Sequence, residues 1–317
     1  MIRRNSVPST FHISPAWVAA DIIAITFVIL YPLVLAVVAH RRLKVGWKYF
    51  AYGALIFFVF QLITRVPAVI VIQAAIAPQL EASPALLYTW LAILALTAGL
   101  FEEVGRYVAF RWLMRREEKT WNKAVMYGLG HGGLESILLV GGLALLSLIN
   151  IIVLSSIGLN SIPLAQRAQA AQQLAALAAQ PAWFPLLAAW ERLWTVPVQI
   201  ALSVLVLQVF RRNNIGWLWL AILAHAIVDG VSVGLIQVLG PGRIGTSLIA
   251  EVVVAIFGVI ALWIIFALRD HPTMKEASEA QSLPPPAEDD VSLQRIGDNV
   301  VEPEGSASDI LKPDSSL

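Results

Sequence analysis

Two adjacent carboxylates, an arginine and a histidine stand inside apolar sequence in FEEVGRYVAFRWLMRREEKTWNKAVMYGLGHGGLE, residues 101–135. Glu102 and Glu103 follow the apolar run Leu86–Leu100, and Arg106 comes three residues after Glu103. Beyond a basic turn, His131 and Glu135 sit four apart, and His225 and Asp229 repeat that spacing in AILAHAIVDG. A carboxylate beside an imidazole is a pairing that takes protons from water and hands them on. Ionisable groups in such surroundings are costly, so their default reading is a functional site.

The elements that must hold these groups follow from composition. The chain has 317 residues, 58% hydrophobic and only 14% charged, with a mean hydropathy of +0.74. Soluble domains carry about 25% charged residues, so this chain cannot cover its surface as they do. Several apolar runs reach the roughly 20 residues that a membrane helix needs. The expected fold class is therefore all-α, a polytopic bundle of about seven transmembrane helices. There are no cysteines, which excludes disulfides, thiolate metal sites and a cysteine nucleophile. The first apolar run, Ala16–Val38, is too long for a signal peptide and reads as a retained span.

The seven helices are expected at 16–40, 49–75, 85–114, 122–150, 184–210, 215–239 and 246–268. Residues 1–15 form an N-terminal segment and 16–269 the helical domain. Pro78 and Pro84 flank the second turn, and GPGRIG fills the sixth. The longest internal connection, 155–182, holds LAQRAQAAQQLAALAAQP, which reads as a helix at or above the membrane surface, or as a helical spacer with no role. The tail from Asp270 onward is rich in Ser, Pro and acidic residues and is expected to be disordered. No internal repeat is visible.

Counting lysine and arginine by side gives an orientation. Arg41, Arg42, Lys44, Lys48, Arg111, Arg115, Arg116, Lys119, Lys123, Arg211 and Arg212 follow the odd-numbered helices; Arg3, Arg4, Arg167 and Arg243 fall on the other side. The basic side is expected in the cytoplasm, with the N-terminus outside and the tail inside.

Depth then follows from the rise per helical residue. Counted from the basic turns, Glu102 lies about 13 Å in, His131 about 12 Å and His225 about 16 Å. Three groups from three helices converge on one layer. Glu135 and Asp229 sit one turn deeper, because residues four apart overlie each other on a helix. The other histidines, His12, His40 and His271, fall in the tails or at a helix end and read as solvated. Arg106 can pair with Glu102 one turn away, but two adjacent glutamates point about 100° apart, so it is not expected to serve both equally. Gly128, Gly130, Gly132 and Gly133 either permit close helix packing or leave room for a substrate backbone beside His131. Asp21 and Glu251 lie near outer helix ends, where they can snorkel or pair. Arg65 and Glu191–Arg192 read first as a structural ion pair, second as a gate to a cavity.

At this point the residues match a known pattern. FEEVGRYVAFRWL, then GLGHGGLES, then SVLVLQVFRR with AILAHAIVDG resembles the YhfC family of intramembrane proteases. That family looks like a branch of the CAAX-protease and bacteriocin-processing superfamily (CPBP). The resemblance covers residues 86–238, with three motifs in order. The superfamily pattern has a double glutamate with an arginine, a histidine in a later helix, then a histidine with Asn or Asp four on. Those positions fall here on Glu102, Glu103 and Arg106, on His131, and on His225 with Asp229. Two departures stand out: two residues, not the commoner three, separate Glu103 from Arg106, and Glu135 is an extra acid.

The resemblance implies hydrolysis of a peptide bond in a membrane-associated protein or peptide. Glu102, assisted by His131, would deprotonate the attacking water; His225 and Asp229 would stabilise the oxyanion. An ionised Asp229 cannot donate, and would instead hold His225 in its tautomer. The cofactor is then none, or a single divalent metal such as zinc on His131, His225 and Glu102. No HExxH helix supports zinc independently. Two other classes compete: a proton-coupled transporter or permease, and a catalytically inactive membrane scaffold. The polar groups cluster at one depth instead of lining a path, and no repeat of the transporter kind is present. The expected partners are the lipid bilayer and a membrane-associated substrate, with no nucleic acid. The expected location is a prokaryotic plasma membrane.

Overall fold

A computed structural model describes residues 13–270. They form helices and no strand. Seven helices are long and apolar enough to cross a membrane: α1 Pro15–Leu43, α2 Trp47–Ala82, α3 Pro84–Leu113, α4 Trp121–Ile157, α6 Leu186–Arg211, α7 Gly216–Leu239 and α8 Ile244–Ala267. The chain is an integral membrane protein. Between α4 and α6 lies the shorter helix α5, Leu164–Ala178, in the alanine- and glutamine-rich connection where a helix is expected. The expectations for residues 1–12 and 271–317 lie outside the described residues.

Some boundaries differ from the sequence reading. Helix α2 continues through Pro78 to Ala82, leaving Ser83 alone as the turn. The Ser83 side chain accepts from the Leu86 N–H at 3.3 Å, and Pro84 occupies the first turn of α3, where its missing N–H costs nothing. Helix α4 runs on to Ile157. Asp270, assigned to the tail from sequence, belongs to the packed part. It accepts from the Trp121 N–H at 3.0 Å at the start of α4 and pairs with Arg211 at the end of α6.

Helix α6 is the central post, with most of Val196–Val209 buried among its neighbours. Long exposed apolar side chains cover the outer helices, as a lipid-facing surface requires. Prolines lie inside α1, α2 and α6, and the carbonyls they free must find donors in a medium without water. Pro32 cannot bond Val28 O, and Ser136 Oγ donates to it at 2.6 Å instead. Pro197 leaves Leu193 O, which accepts from Tyr31 Oη at 3.2 Å. Each substitute bond ties one helix to another: α4 to α1, and α1 to α6.

Three spans contain π-helical segments, Phe58–Arg65 in α2, Ala109–Leu113 in α3 and Ser136–Gly142 in α4. Such widened turns shift the register of the side chains beyond them and recur at functional sites. The basic turns come together at one end of the bundle. There Lys48 and Lys123 both reach Glu117, at 2.8 and 3.8 Å, and Asn122 donates to Leu43 O at 3.2 Å.

Candidate functional site

The site forms where α2, α3, α4, α6 and α7 meet, and glycines set how closely they meet. A Cβ on Gly130 would stand 1.9 Å from Phe50 O, and one on Gly53 would stand 2.0 Å from Tyr127 O. Backbone thus lies directly on backbone where α2 crosses α4, which brings His131 inward. A Cβ on Gly99 would lie 2.6 Å from Ile222 O, so α3 approaches α7 with Glu102 and Glu103 just beyond the contact. Gly128 and Gly132 press in the same way on α6. The glycine run around His131 is therefore consumed by helix packing. The open approach for a substrate backbone is not there, and His131 is fully buried.

The convergence in depth is present as side-chain contact. Glu102 Oε2 accepts from His131 Nε2 at 2.9 Å and lies 3.8 Å from His225 Nε2. Glu103 Oε1 accepts from His225 Nδ1 at 2.7 Å. Asp229 Oδ2 stands 3.6 Å from His225 Nε2, too far for a direct hydrogen bond. The group that fixes the His225 ring is thus Glu103 and not Asp229, which faces the opposite nitrogen.

Arg106 lies against both glutamates but serves them unequally, with a hydrogen bond to Glu102 and only an ion-pair contact to Glu103. Its Nη2 lies 3.3 Å from Glu102 Oε2 and its Nε 3.2 Å from Glu103 Oε2. Both contacts are possible because the guanidinium is a fork: residues three and four positions back on one helix present to its two adjacent nitrogens. Nη1 is held by Gln199 O at 2.8 Å and Ser203 Oγ at 2.7 Å.

Three neutral residues escaped the sequence reading. Gln61, on the π-helical segment of α2, donates to Glu102 Oε1. Gln199 gives its amide oxygen to Arg106 and its Nε2 to Glu135 Oε2 at 2.6 Å. Ser203 completes the arginine's shell. Their only signal was a lone polar side chain in an apolar span, as in FVFQLITR and VPVQIALS. Glu135 pairs with Arg192 at 2.9 Å and does not touch His131; Arg192 also bonds Glu191. Arg65 stands apart from that pair, bonded to Gln61, Thr97 and Leu94.

A cavity of about 480 Å³ adjoins the site, lined by His225, Asp229, Gln199, Glu135, Arg192 and Arg65 among others. Glu102 and His131 lie behind this wall. The sequence from 27 to 254 matches the family described as "YhfC intramembrane metalloprotease". The chain belongs to the YhfC family. It is 34% identical over 251 residues to "Uncharacterized membrane protein YhfC" of Bacillus subtilis (strain 168), covering 76% of this chain and 92% of that one. No solved structure gives a significant match.

The YhfC family description implies a metal, and the donors can be tested for it. Glu102, Glu103 and His225 each offer an atom within 4.8 Å of the others, all buried. Carboxylate and imidazole donors suit zinc, so the set fits. His131 lies outside this mutual set and reaches it through Glu102.

Proposed function

We propose that this YhfC-family chain is an intramembrane endopeptidase of the CAAX-protease-like type, acting on a membrane-associated protein or peptide. The observation that carries the reading is Glu102, bonded to a buried histidine at 2.9 Å while its same oxygen lies 3.8 Å from His225 on a cavity wall. His225 Nε2 lies 3.8 Å from Glu102 Oε2 and 3.6 Å from Asp229 Oδ2, so the three polar atoms come together at one corner of the cavity wall. A water drawn to this corner for the reaction would have Glu102 on one side and the cavity of about 480 Å³ on the other.

In this reading Glu102 takes a proton from the water as its oxygen bonds the scissile carbonyl carbon. His225, when it carries a proton on Nε2, donates to the carbonyl oxygen. Glu102 then returns the proton to the amide nitrogen as the C–N bond breaks, leaving a carboxylic acid and an amine. His131, Arg106 and Gln61 hold the Glu102 carboxylate in place, and Glu103 holds the His225 ring; these are positioning residues. Where a divalent metal is used, Glu102, Glu103 and His225 would hold it, and it would supply Lewis-acid polarisation of the carbonyl.

The test is cleavage of a membrane-peptide library by the purified protein in detergent, with Glu102→Gln and His131→Ala as controls and a chelator-treated sample beside them. Cleavage by wild type that both variants lose supports the reading. Its survival in chelator supports the metal-free scheme, and loss restored by zinc supports the metal site. A well-folded protein that cleaves nothing, yet moves solutes in proteoliposomes in a Glu102-dependent way, is a transporter instead.

A further inference from the structure

Three arginines stand within the spans around the cavity, and they are not alike. Arg106 has two carboxylates, Glu102 and Glu103, and Arg192 has two, Glu135 and Glu191. Arg65 has none within 4 Å among the described residues. Its partners are all neutral: Thr97 Oγ1 from Nε at 3.3 Å, Gln61 Oε1 from Nη1 at 3.3 Å, and Leu94 O from Nη2 at 2.5 Å. A guanidinium has five N–H donors, so two remain. Two of those bonds pin the group to α3 and the third holds it to Gln61 on its own helix, and Arg65 lines the cavity that His225 and Asp229 also line.

An intramembrane cation is costly, and Arg65 meets that cost with neutral oxygens alone, a backbone carbonyl among them, which leaves its charge available to an anionic ligand. The rest of the lining says which end of the cavity takes it. Glu135 and Glu191 are spent on Arg192. Asp229 stands beside His225. Glu251, on α8, also lines the cavity, and Trp190 of α6 donates to its backbone oxygen at 3.3 Å. The cation lining this cavity with no carboxylate within 4 Å among the described residues is therefore Arg65, whereas Arg192 has two.

We propose that Arg65 anchors a carboxylate of the substrate and so orients the peptide across His225, an inference that rests on the protease reading. Two sources share this chemistry, a free C-terminus and an acidic side chain. A bidentate guanidinium–carboxylate bond in a shielded site is the strong form of the interaction.

The experiment uses cleaved peptides from the library, remade as C-terminal acid and amide and with each Asp or Glu changed to its amide. Wild type should favour one carboxylate-bearing form by at least about tenfold in kcat/KM. A loss on amidating the C-terminus marks the terminal source, and a loss on changing one side chain marks the other. Arg65→Gln should bring the acid-to-amide ratio to about one, and Arg65→Lys should keep part of it. Fluorescence anisotropy of labelled acid and amide peptides on the Glu102→Gln and the Glu102→Gln/Arg65→Gln proteins reads the same preference without turnover. A wild-type ratio of one, or a preference that persists in Arg65→Gln, would overturn the assignment. No cleavage of any peptide would instead count against the protease reading.

Discussion

His225 Nδ1 lies 2.7 Å from Glu103 Oε1, which makes the second of two adjacent glutamates the orienting partner of a histidine 122 residues away. The ring is thereby turned so that Nε2 faces Glu102 and Asp229. Glu103→Gln should lower kcat on the order of tenfold to a hundredfold while moving KM little, as loss of such an orienting partner does. A raised KM with unchanged kcat would assign Glu103 to substrate binding.

Arg106 neutralises both glutamates in a fully buried setting. Arg106→Ala should cost about 3–5 kcal/mol of stability, since it leaves two adjacent charges unmatched. Adding Glu103→Gln should restore part of that loss by removing one orphaned charge. Thermal unfolding in detergent reads both, and a double variant no more stable than Arg106→Ala would contradict the shared pairing.

The hydroxyl on Ser136 compensates for Pro32. Ser136→Ala should cost about 1–3 kcal/mol by leaving Val28 O unsatisfied. In a Pro32→Ala background the helix regains its own N–H, and the same change should then cost little. Equal costs in the two backgrounds would mean that Ser136 acts by packing alone.

Gly130 and Gly234 make a sharp comparison. Gly130→Ala places a methyl 1.9 Å from Phe50 O, whereas nothing lies within 4 Å of the same atom on Gly234. The first should lose folded protein, read as the monodisperse fraction after detergent extraction; the second should match wild type. Tolerance of Gly130→Ala would deny the backbone contact between α2 and α4.

The chain has no cysteine, so single cysteines can report its orientation. Glu118→Cys, at the basic end, should react with a membrane-impermeant thiol reagent only after cells are opened. Gln180→Cys, in the connection before α6, should react in intact cells. The reverse pattern would invert the orientation that the lysine and arginine count implies.

The sequence by itself determined the seven spans and singled out the buried charged groups. A membrane imposes length and apolarity on each helix independently, so both can be counted along the chain. Charge in apolar sequence is costly enough that Glu102, Glu103, His131 and His225 stand out alone, and a fixed rise per residue places them in one layer. The fold then pairs Glu102 with His131 and Glu103 with His225 by hydrogen bonds, with Arg106 against both glutamates. What the sequence left open depends on azimuth and close approach, which depth does not determine. The π-helical turns rotate Gln61 and Arg65 toward α3, and the glycine crossings press α4 on to α2 and α6. Only those contacts decided that Arg106 holds both glutamates, that Glu103 and not Asp229 turns His225, and that the glycines serve packing. Neutral amides such as Gln61 and Gln199 cost too little in sequence to be noticed, and only their partners in space give them a role.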